Sequence, residues 1–410
     1  MSTRHIRSKI ADGFQQVEGG LFSQVTKADV GEGFAALAQQ DITLMGWADP
    51  FYPDRIVPEV VQAVMIKEFE SGSPTHYTMP IGSLKLREEV AKKCDRYNQL
   101  TVDPKRNVII TPGSDSGLFY AMSIFINPGD EVLVPDPSYP SNFLNPRLLG
   151  GVTVPVPLEQ RSGYQLDLVA MERAITSKTK MILLTHPNNP TTTVFKREKL
   201  EQLARLVCHY DLVLVVDQAF EDIIFDDLDF ISPASLPGMW ERTVTICSVS
   251  KGMGLSGFRV GYLIASDQIM DILYGAAVNV IGATNTAAQI GAIAALQNPE
   301  FIESYQKIFD YRRKLSFQIL SEVPGVSMLM PESGFYCWID VSQLGDSTVL
   351  MNYLIKAARV AVNDGKVYGR QGNGFLRIIH GCLRNNEEAV NALERIATAL
   401  KKYKPSRKFS

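Results

Sequence analysis

Cysteine and histidine are scarce in this chain, with five of each among 410 residues. Cys94, Cys208, Cys247, Cys337 and Cys382 stand far apart and form no CxxC pair. That spacing argues against a disulfide framework or a zinc site and for a reducing compartment. The histidines show no HExxH-type pattern, so no metal centre is expected. An excess of one charge is also missing. The formal net charge of -3 gives no reason to expect nucleic acid or an anionic membrane as partner. No apolar run is long enough to span a bilayer, and residues 1–16 lack the apolar core of a signal peptide, so a cytoplasmic protein is expected. Internal repeats and low-complexity segments are absent, and the one basic run, Lys401 to Lys408, reads as a solvated terminus.

What is present is the composition of a globular enzyme, 45% hydrophobic and 21% charged, in a chain long enough for two domains. From residue 107 a βα rhythm begins. Asn107 to Ile110 reads as a buried strand, and Leu118 to Ile126 as an apolar helix. Between them Ser114 and Asp115 sit at a helix start, where unpaired amides make an anion site; Asp115 also suits a plain N-cap. A strand from Glu131 to Val134 is followed by Tyr139 at its C-terminal edge, the edge where open α/β sheets bind ligands. Lys180 to Thr185 is a strand running into His186-Pro187-Asn188-Asn189-Pro190-Thr191, with His186 read as structural. Leu212 to Val216 delivers Asp217, an acid that is costly after five apolar residues unless it meets a buried cation.

The organising stretch is Ser248-Val249-Ser250-Lys251-Gly252-Met253-Gly254-Leu255-Ser256-Gly257-Phe258-Arg259, reached from a strand at Thr243 to Cys247. A lysine at the mouth of a buried strand is partly desolvated, which makes its neutral amine a usable nucleophile. The hydroxyls of Ser248 and Ser250, with the fork of Arg259, could hold a phosphate dianion beside it. Lysine plus phosphate cradle is what a pyridoxal phosphate Schiff base requires. Further on, Phe375 to Gly381 is an apolar strand interrupted by Arg377, whose guanidinium needs an anion; a substrate α-carboxylate is a bidentate match.

The stretch around Lys251 closely resembles the cofactor-lysine signature of class I/II aminotransferases, the aspartate aminotransferase-like branch of fold type I. Gly46, Tyr77, Ser114, Tyr139, Asn189, Asp217, Lys251, Arg259 and Arg377 occur in the family order across almost the whole chain. The resemblance implies an α/β fold, a mostly parallel seven-stranded sheet in a three-layer α/β/α arrangement, plus a smaller α+β domain. Residues 58–295 would form the large cofactor-binding domain, and 1–57 with 296–410 the small one, linked by a long helix from Glu300 to Val323. It further implies that Lys251 carries pyridoxal 5'-phosphate, that Tyr139 stacks on its ring, and that Asn189 donates to its phenolic oxygen. Asp217 would keep the pyridine nitrogen protonated, and Arg377 would grip the substrate carboxylate. Gly46 would allow close approach of substrate, and Tyr77, in a Y-x-x-x-x-G element ending at Gly82, would reach the phosphate of the other subunit. A homodimer with shared sites is therefore expected.

Two positions depart from the family pattern. Thr192 stands where the N-P-T-G turn has glycine, and a β-branched residue disfavours positive φ, so a reshaped turn is expected. Phe220 stands where relatives carry a tyrosine that donates to the phenolic oxygen; its loss should raise the pKa of the imine. The first expectation is an aminotransferase moving an amino group between an L-amino acid and a 2-oxo acid. With Phe220 as motive, the alternative is elimination, racemisation, cyclisation or oxidation of an amino acid in the same fold. A non-enzymatic regulator would need an appended DNA-binding segment, and none is seen. The stretch Asn279 to Thr286, where the resemblance to dicarboxylate-specific relatives would place a second arginine, contains none, which mildly disfavours aspartate and glutamate as exclusive substrates.

Overall fold

The computed structural model describes residues 8–15, 17, 40–52, 54 and 57–404; the expectation of helix and loop before residue 40 falls largely outside them. The strands in chain order are β1 (Thr43–Leu44), β2 (Val108–Thr111), β3 (Glu131–Asp136), β4 (Val152–Pro157), β5 (Thr179–Thr185), β6 (Val213–Asp217), β7 (Thr243–Ser248), β8 (Gly261–Ile264), β9 (Ser327–Met328), β10 (Tyr336–Asp340), β11 (Val360–Ala361), β12 (Asn363–Asp364) and β13 (Phe375–Ile379). Seven form one sheet in the order β2-β8-β7-β6-β5-β3-β4. β8 runs antiparallel to both its neighbours, and every other pairing is parallel. The mostly parallel seven-stranded sheet is thus as expected.

Parallel strands covered on both faces are mostly apolar, and the central residues Met181 to Leu184 of β5 and Val213 to Val216 of β6 are, while β7 alternates Val244 and Ile246 with buried Thr243 and Thr245. Their side chains alternate between two faces. Met181, Leu183, Val215, Val244 and Ile246 pack with Leu118, Met122 and Leu273 from the helices Ser114–Ser123 and Asp267–Val280. Ile182, Leu184, Leu214 and Val216 pack on the opposite side against Leu200, Leu203 and Val207 of the helix Arg197–His209. The same face continues with Ile110, Cys247 and Tyr262 against Leu86, Val90 and Ala292. The result is three layers.

Four further strands form an antiparallel sheet, β12-β13-β10-β9, whose core is shared with the helices Glu300–Ser321, Ser347–Ala357 and Asn386–Lys402. The helix Glu300–Ser321 places Ile302 in the core beside the large sheet and Phe309 and Leu320 in the core of the small one. Residues 267–297 form two helices, Asp267–Val280 and Thr286–Gln297. Gly282 at φ 64° and the Asn285 side chain, which accepts from the Ala288 amide, end one and begin the next. In the helix Leu84–Lys93, which begins after the Ser83 N-cap, Leu86 and Val90 are buried, while Leu84, its first residue, is partly exposed.

Candidate active site

β2, β3, β5, β6 and β7 share one direction, so their C-terminal ends lie along one edge of the sheet. The chain leaving each strand carries one of the expected residues, in turn Ser114, Tyr139, Asn189, Asp217 and Lys251. These five, with Asp115, Phe220, Ser250, Arg259 and Arg377, line a single cavity of about 390 Å³. Ser248 lies behind the wall, with its hydroxyl donating to Ser250 Oγ at 2.7 Å and accepting from the Ser250 amide at 3.0 Å. Gly46 is buried one residue before the lining Trp47. Tyr77 is 94% exposed and does not join this chain's own cavity.

Lys251 Nζ donates to the carbonyl oxygen of Ala48 at 2.6 Å, which ties the amine to the arm that crosses the cavity mouth. That arm is anchored by hydrogen bonds from Met45 N to Ala361 O on β11 and from Ile379 N on β13 to Met45 O. Arg377, fully buried on β13, reaches the same cavity from the small sheet. Its guanidinium donates to Asn189 Oδ1 at 2.9 Å and to Asn363 Oδ1 at 2.9 and 3.2 Å, and lies over the rings of Tyr368 and Tyr336. With its oxygen turned to Arg377, Asn189 keeps its amide nitrogen as a donor.

The anion end of the cavity is built from backbone. Gly113, not Asp115, is the N-cap of the helix Ser114–Ser123, so the amides of Ser114 and Asp115 open its first turn and have no intrahelical acceptor. Gly113 takes φ 86°, and a Cβ there would lie 2.3 Å from Arg259 Nη2; a Cβ on Gly261 would lie 2.7 Å from the Ser114 amide nitrogen. Two missing side chains therefore let a guanidinium and a helix N-terminus close on one point, an arrangement suited to a phosphate. At the other end Asp217 is buried, and burial pushes its carboxyl up to about 7, with the Ala219 amide offsetting only part of the shift. A cation against this carboxylate would reverse that penalty. Amine, phosphate cradle and buried carboxylate together fit pyridoxal phosphate.

Thr192 corrects an expectation. It adopts φ 66° despite its branched side chain, so the turn keeps the left-handed conformation of glycine instead of being reshaped. The strain, on the order of 1–3 kcal/mol, is held by surrounding bonds. The Thr192 amide donates to Asn188 O at 2.9 Å, and Ser333 Oγ donates to Thr192 O at 2.7 Å. His186 is stacked between Phe195 and Phe230, and burial drops its pKa to about 3, which suits a structural role.

One cavity residue, Thr185, was not foreseen, nor was the pairing of Ser256 with Asp49. Thr185 ends β5 and accepts from Asn142 Nδ2 at 2.8 Å; the strand-edge rule that selected Tyr139 could have found it. Trp47, Asp49 and Ser256 close the mouth, with Ser256 Oγ donating to Asp49 Oδ1. Residues separated by 207 positions leave no local signal of such a pairing.

A family model described as Aminotransferase class I and II matches residues 42–396. The chain is 30% identical over 358 residues to an aspartate aminotransferase of Musicola paradisiaca, covering 86% of this chain and 88% of that one. It is 31% identical over 359 residues to a probable aspartate/prephenate aminotransferase of Aquifex aeolicus, covering 85% and 89%. Among solved structures, a single mutant of the Thermus thermophilus aspartate aminotransferase superposes with a TM-score of 0.84 at 29% identity, covering 95% of this chain and 99% of that one.

Proposed function

The chain belongs to the class I and II aminotransferases, and from that premise we propose how its residues divide the transfer of an amino group between an L-amino acid and a 2-oxo acid. The observation that carries the assignment is the convergence of Lys251, Asp217, Asn189, Arg259 and Arg377 on one cavity. Bound pyridoxal phosphate supplies the electron sink for charge developing at the substrate α-carbon. Lys251 is its covalent attachment point and, once freed by substrate, the base and then the acid that moves the α-proton. Arg377 binds the α-carboxylate, held on axis by Asn189 and Asn363. Asp217 would keep the pyridine nitrogen protonated, and the Asn189 amide would donate to the phenolic oxygen. The amides of Ser114 and Asp115, with Ser250 and Arg259, would hold the phosphate, Ser248 supporting Ser250. Tyr139 would stack on the ring, and Gly46 would admit the substrate.

The same reading makes the protein a cytoplasmic homodimer in which Tyr77 completes the partner's phosphate site; its exposure in one chain supports this. Among the described residues no helix is long and apolar enough to cross a membrane. The division into 58–295 and the flanking 1–57 and 296–410 is supported by the two sheets, whose cores are largely distinct and meet where Trp338 and Tyr368 join one and Phe220 and Ile223 the other.

The test is a single turnover without acceptor. The loaded enzyme mixed with each common L-amino acid should release one equivalent of 2-oxo acid per subunit and keep the amino group on the cofactor. Release of ammonia, or return of the unchanged amino acid as its enantiomer, would replace transamination by the alternative that Phe220 raises. Arg377→Lys should raise KM for the amino acid about 10- to 100-fold, because a bidentate charge-assisted contact becomes a point charge. Steady-state kinetics on the preferred substrate would show it. Phe220→Tyr should lower the pH midpoint of the bound cofactor's visible spectrum by restoring a donor at the phenolic oxygen. An unmoved titration would show that position 220 does not set the imine's proton affinity.

A further inference from the structure

Behind the cavity lies a second cluster of charge that touches none of its lumen. Lys93, at the end of the helix Leu84–Lys93, is 3% exposed and meets two buried carboxylates, Glu221 at 2.6 Å and Asp222 at 2.8 Å. Glu221 also accepts from Asn98 Nδ2 at 2.7 Å and from Gln218 Nε2 at 2.8 Å. Gln218 in turn accepts from Ser232 Oγ at 2.8 Å. Tyr262 of β8 lies 3.3 Å from Lys93 Nζ, and Cys94 and Cys247 are the remaining titratable neighbours. Burial pulls the Lys93 amine toward neutrality, but the charges of Asp222 and Glu221 outweigh it and keep the group protonated. Burial likewise pushes both carboxyls up. Lys93 with the three donated bonds brings Glu221 below its ordinary value, whereas Asp222 stays above its own.

Two contacts connect this cluster to the cavity. Gln218 follows Asp217 directly, so the bonds from Gln218 to Glu221 and from Lys93 to Glu221 pin the turn that ends β6. On the other side, Gly252 follows Lys251 directly and is packed against Asp222. A Cβ on Gly252 would lie 2.3 Å from Asp222 Cβ and 2.8 Å from Asp222 Oδ2. That oxygen is buried and makes no hydrogen bond. A carboxylate with one oxygen on Lys93 and the other against the lysine loop sets where that loop rests. We propose that the Lys93–Glu221–Asp222 cluster is a positioning element for the reaction, fixing the separation of the Asp217 carboxylate and the Lys251 amine from behind the cavity. The inference rests on the roles given above to those two residues. A buried pair of this kind adds little net stability over an apolar replacement, so specificity of geometry is the better reason for its presence.

Two variants press on the same contact from opposite sides. Asp222→Asn keeps the shape and removes the charge facing Lys93. Gly252→Ala keeps every charge and pushes a methyl group into Asp222. Both are made as loaded enzyme and read by kcat, by KM for the amino acid, by the pH midpoint of the cofactor's visible spectrum and by the melting temperature. A displacement near 1 Å at the reacting groups costs on the order of 100-fold. A fall of at least about tenfold in kcat, with KM changed less than about threefold and the midpoint displaced in both variants, is the expected signature. A lower melting temperature with wild-type kcat and midpoint in either variant would make the cluster purely structural and overturn the proposal. If one variant does not fold, the other decides by the same criterion. Wild-type enzyme that releases no 2-oxo acid in a single turnover would overturn the roles of Lys251 and Asp217 instead, so the two failures are distinguishable.

Discussion

Lys251→Ala is expected to lower kcat by at least about 1000-fold while leaving the fold in place, since acid–base catalysis by a positioned group is worth about 10²–10⁴-fold and covalent attachment is lost as well. The native contact given up is the hydrogen bond to Ala48 O, worth roughly 1 kcal/mol. The melting temperature of the cofactor-free variant should therefore stay close to wild type. Cofactor should still bind, because the Arg259 guanidinium, the helix amides and Asp217 are untouched, but it should be removable by dialysis. Small primary amines added to the assay should restore part of the rate, since alanine leaves space at the cavity wall where the amine stood. Recovery should remain well below wild type because a free amine lacks the orientation of a tethered one. Wild-type activity in the alanine variant would remove Lys251 from the chemistry. Loss of activity together with loss of the folded state would show that the residue serves the structure first.

The candidate site was legible where it obeys local rules. A buried parallel strand reads as an apolar run, and its ligand-facing end reads as the first polar residue after it; Asp217 obeys this rule, whereas Lys251 stands out by its place between two serines and a Gly-rich stretch that ends in Arg259. Arg377 was visible as one cation inside the apolar run Phe375 to Ile379. What stayed hidden depends on distant segments. Ser256 and Asp49 meet across 207 residues, and Asp222 gains its meaning only through Gly252 and Lys93. Thr192 shows the limit of a local rule that was sound in itself. A branched residue does disfavour positive φ, yet Ser333 and the Asn188 carbonyl hold it there. Tertiary bonds overrode backbone preference. The break between the helices Asp267–Val280 and Thr286–Gln297 is local by contrast, since Gly282 and Asn285 are stop and start signals carried within an otherwise apolar stretch.

Asp217→Asn is expected to stabilise the cofactor-free protein and impair the loaded one. The native carboxyl is held near 7 by burial, above its ordinary 3.8. The native state therefore binds this proton more tightly than the unfolded chain. Its contribution to stability is fully present below about 4, declines as pH rises toward 7, and is a penalty above that. The amide cannot ionise, so the variant should lack this slope. Every tenfold difference in proton affinity between the folded and unfolded chain corresponds to about 1.4 kcal/mol, which makes the gain at pH 8 a few kcal/mol. Thermal unfolding of both cofactor-free proteins between about pH 4 and 8 should give curves that converge at the acid end and separate at the alkaline end. In the loaded enzyme the order reverses. A protonated pyridine nitrogen against Asp217 would turn the penalised carboxylate into half of a buried ion pair, and breaking such a pair costs about 3–5 kcal/mol. Asparagine should thus weaken cofactor binding and lower kcat by roughly 100-fold or more, because the ring nitrogen loses the charge that keeps it protonated. Parallel pH curves for the two cofactor-free proteins would show that Asp217 is not penalised by burial. An unimpaired loaded variant would show that the carboxylate does not face the ring nitrogen. The stability that asparagine would recover is what the native chain forgoes to keep a buried negative charge ready for a cation.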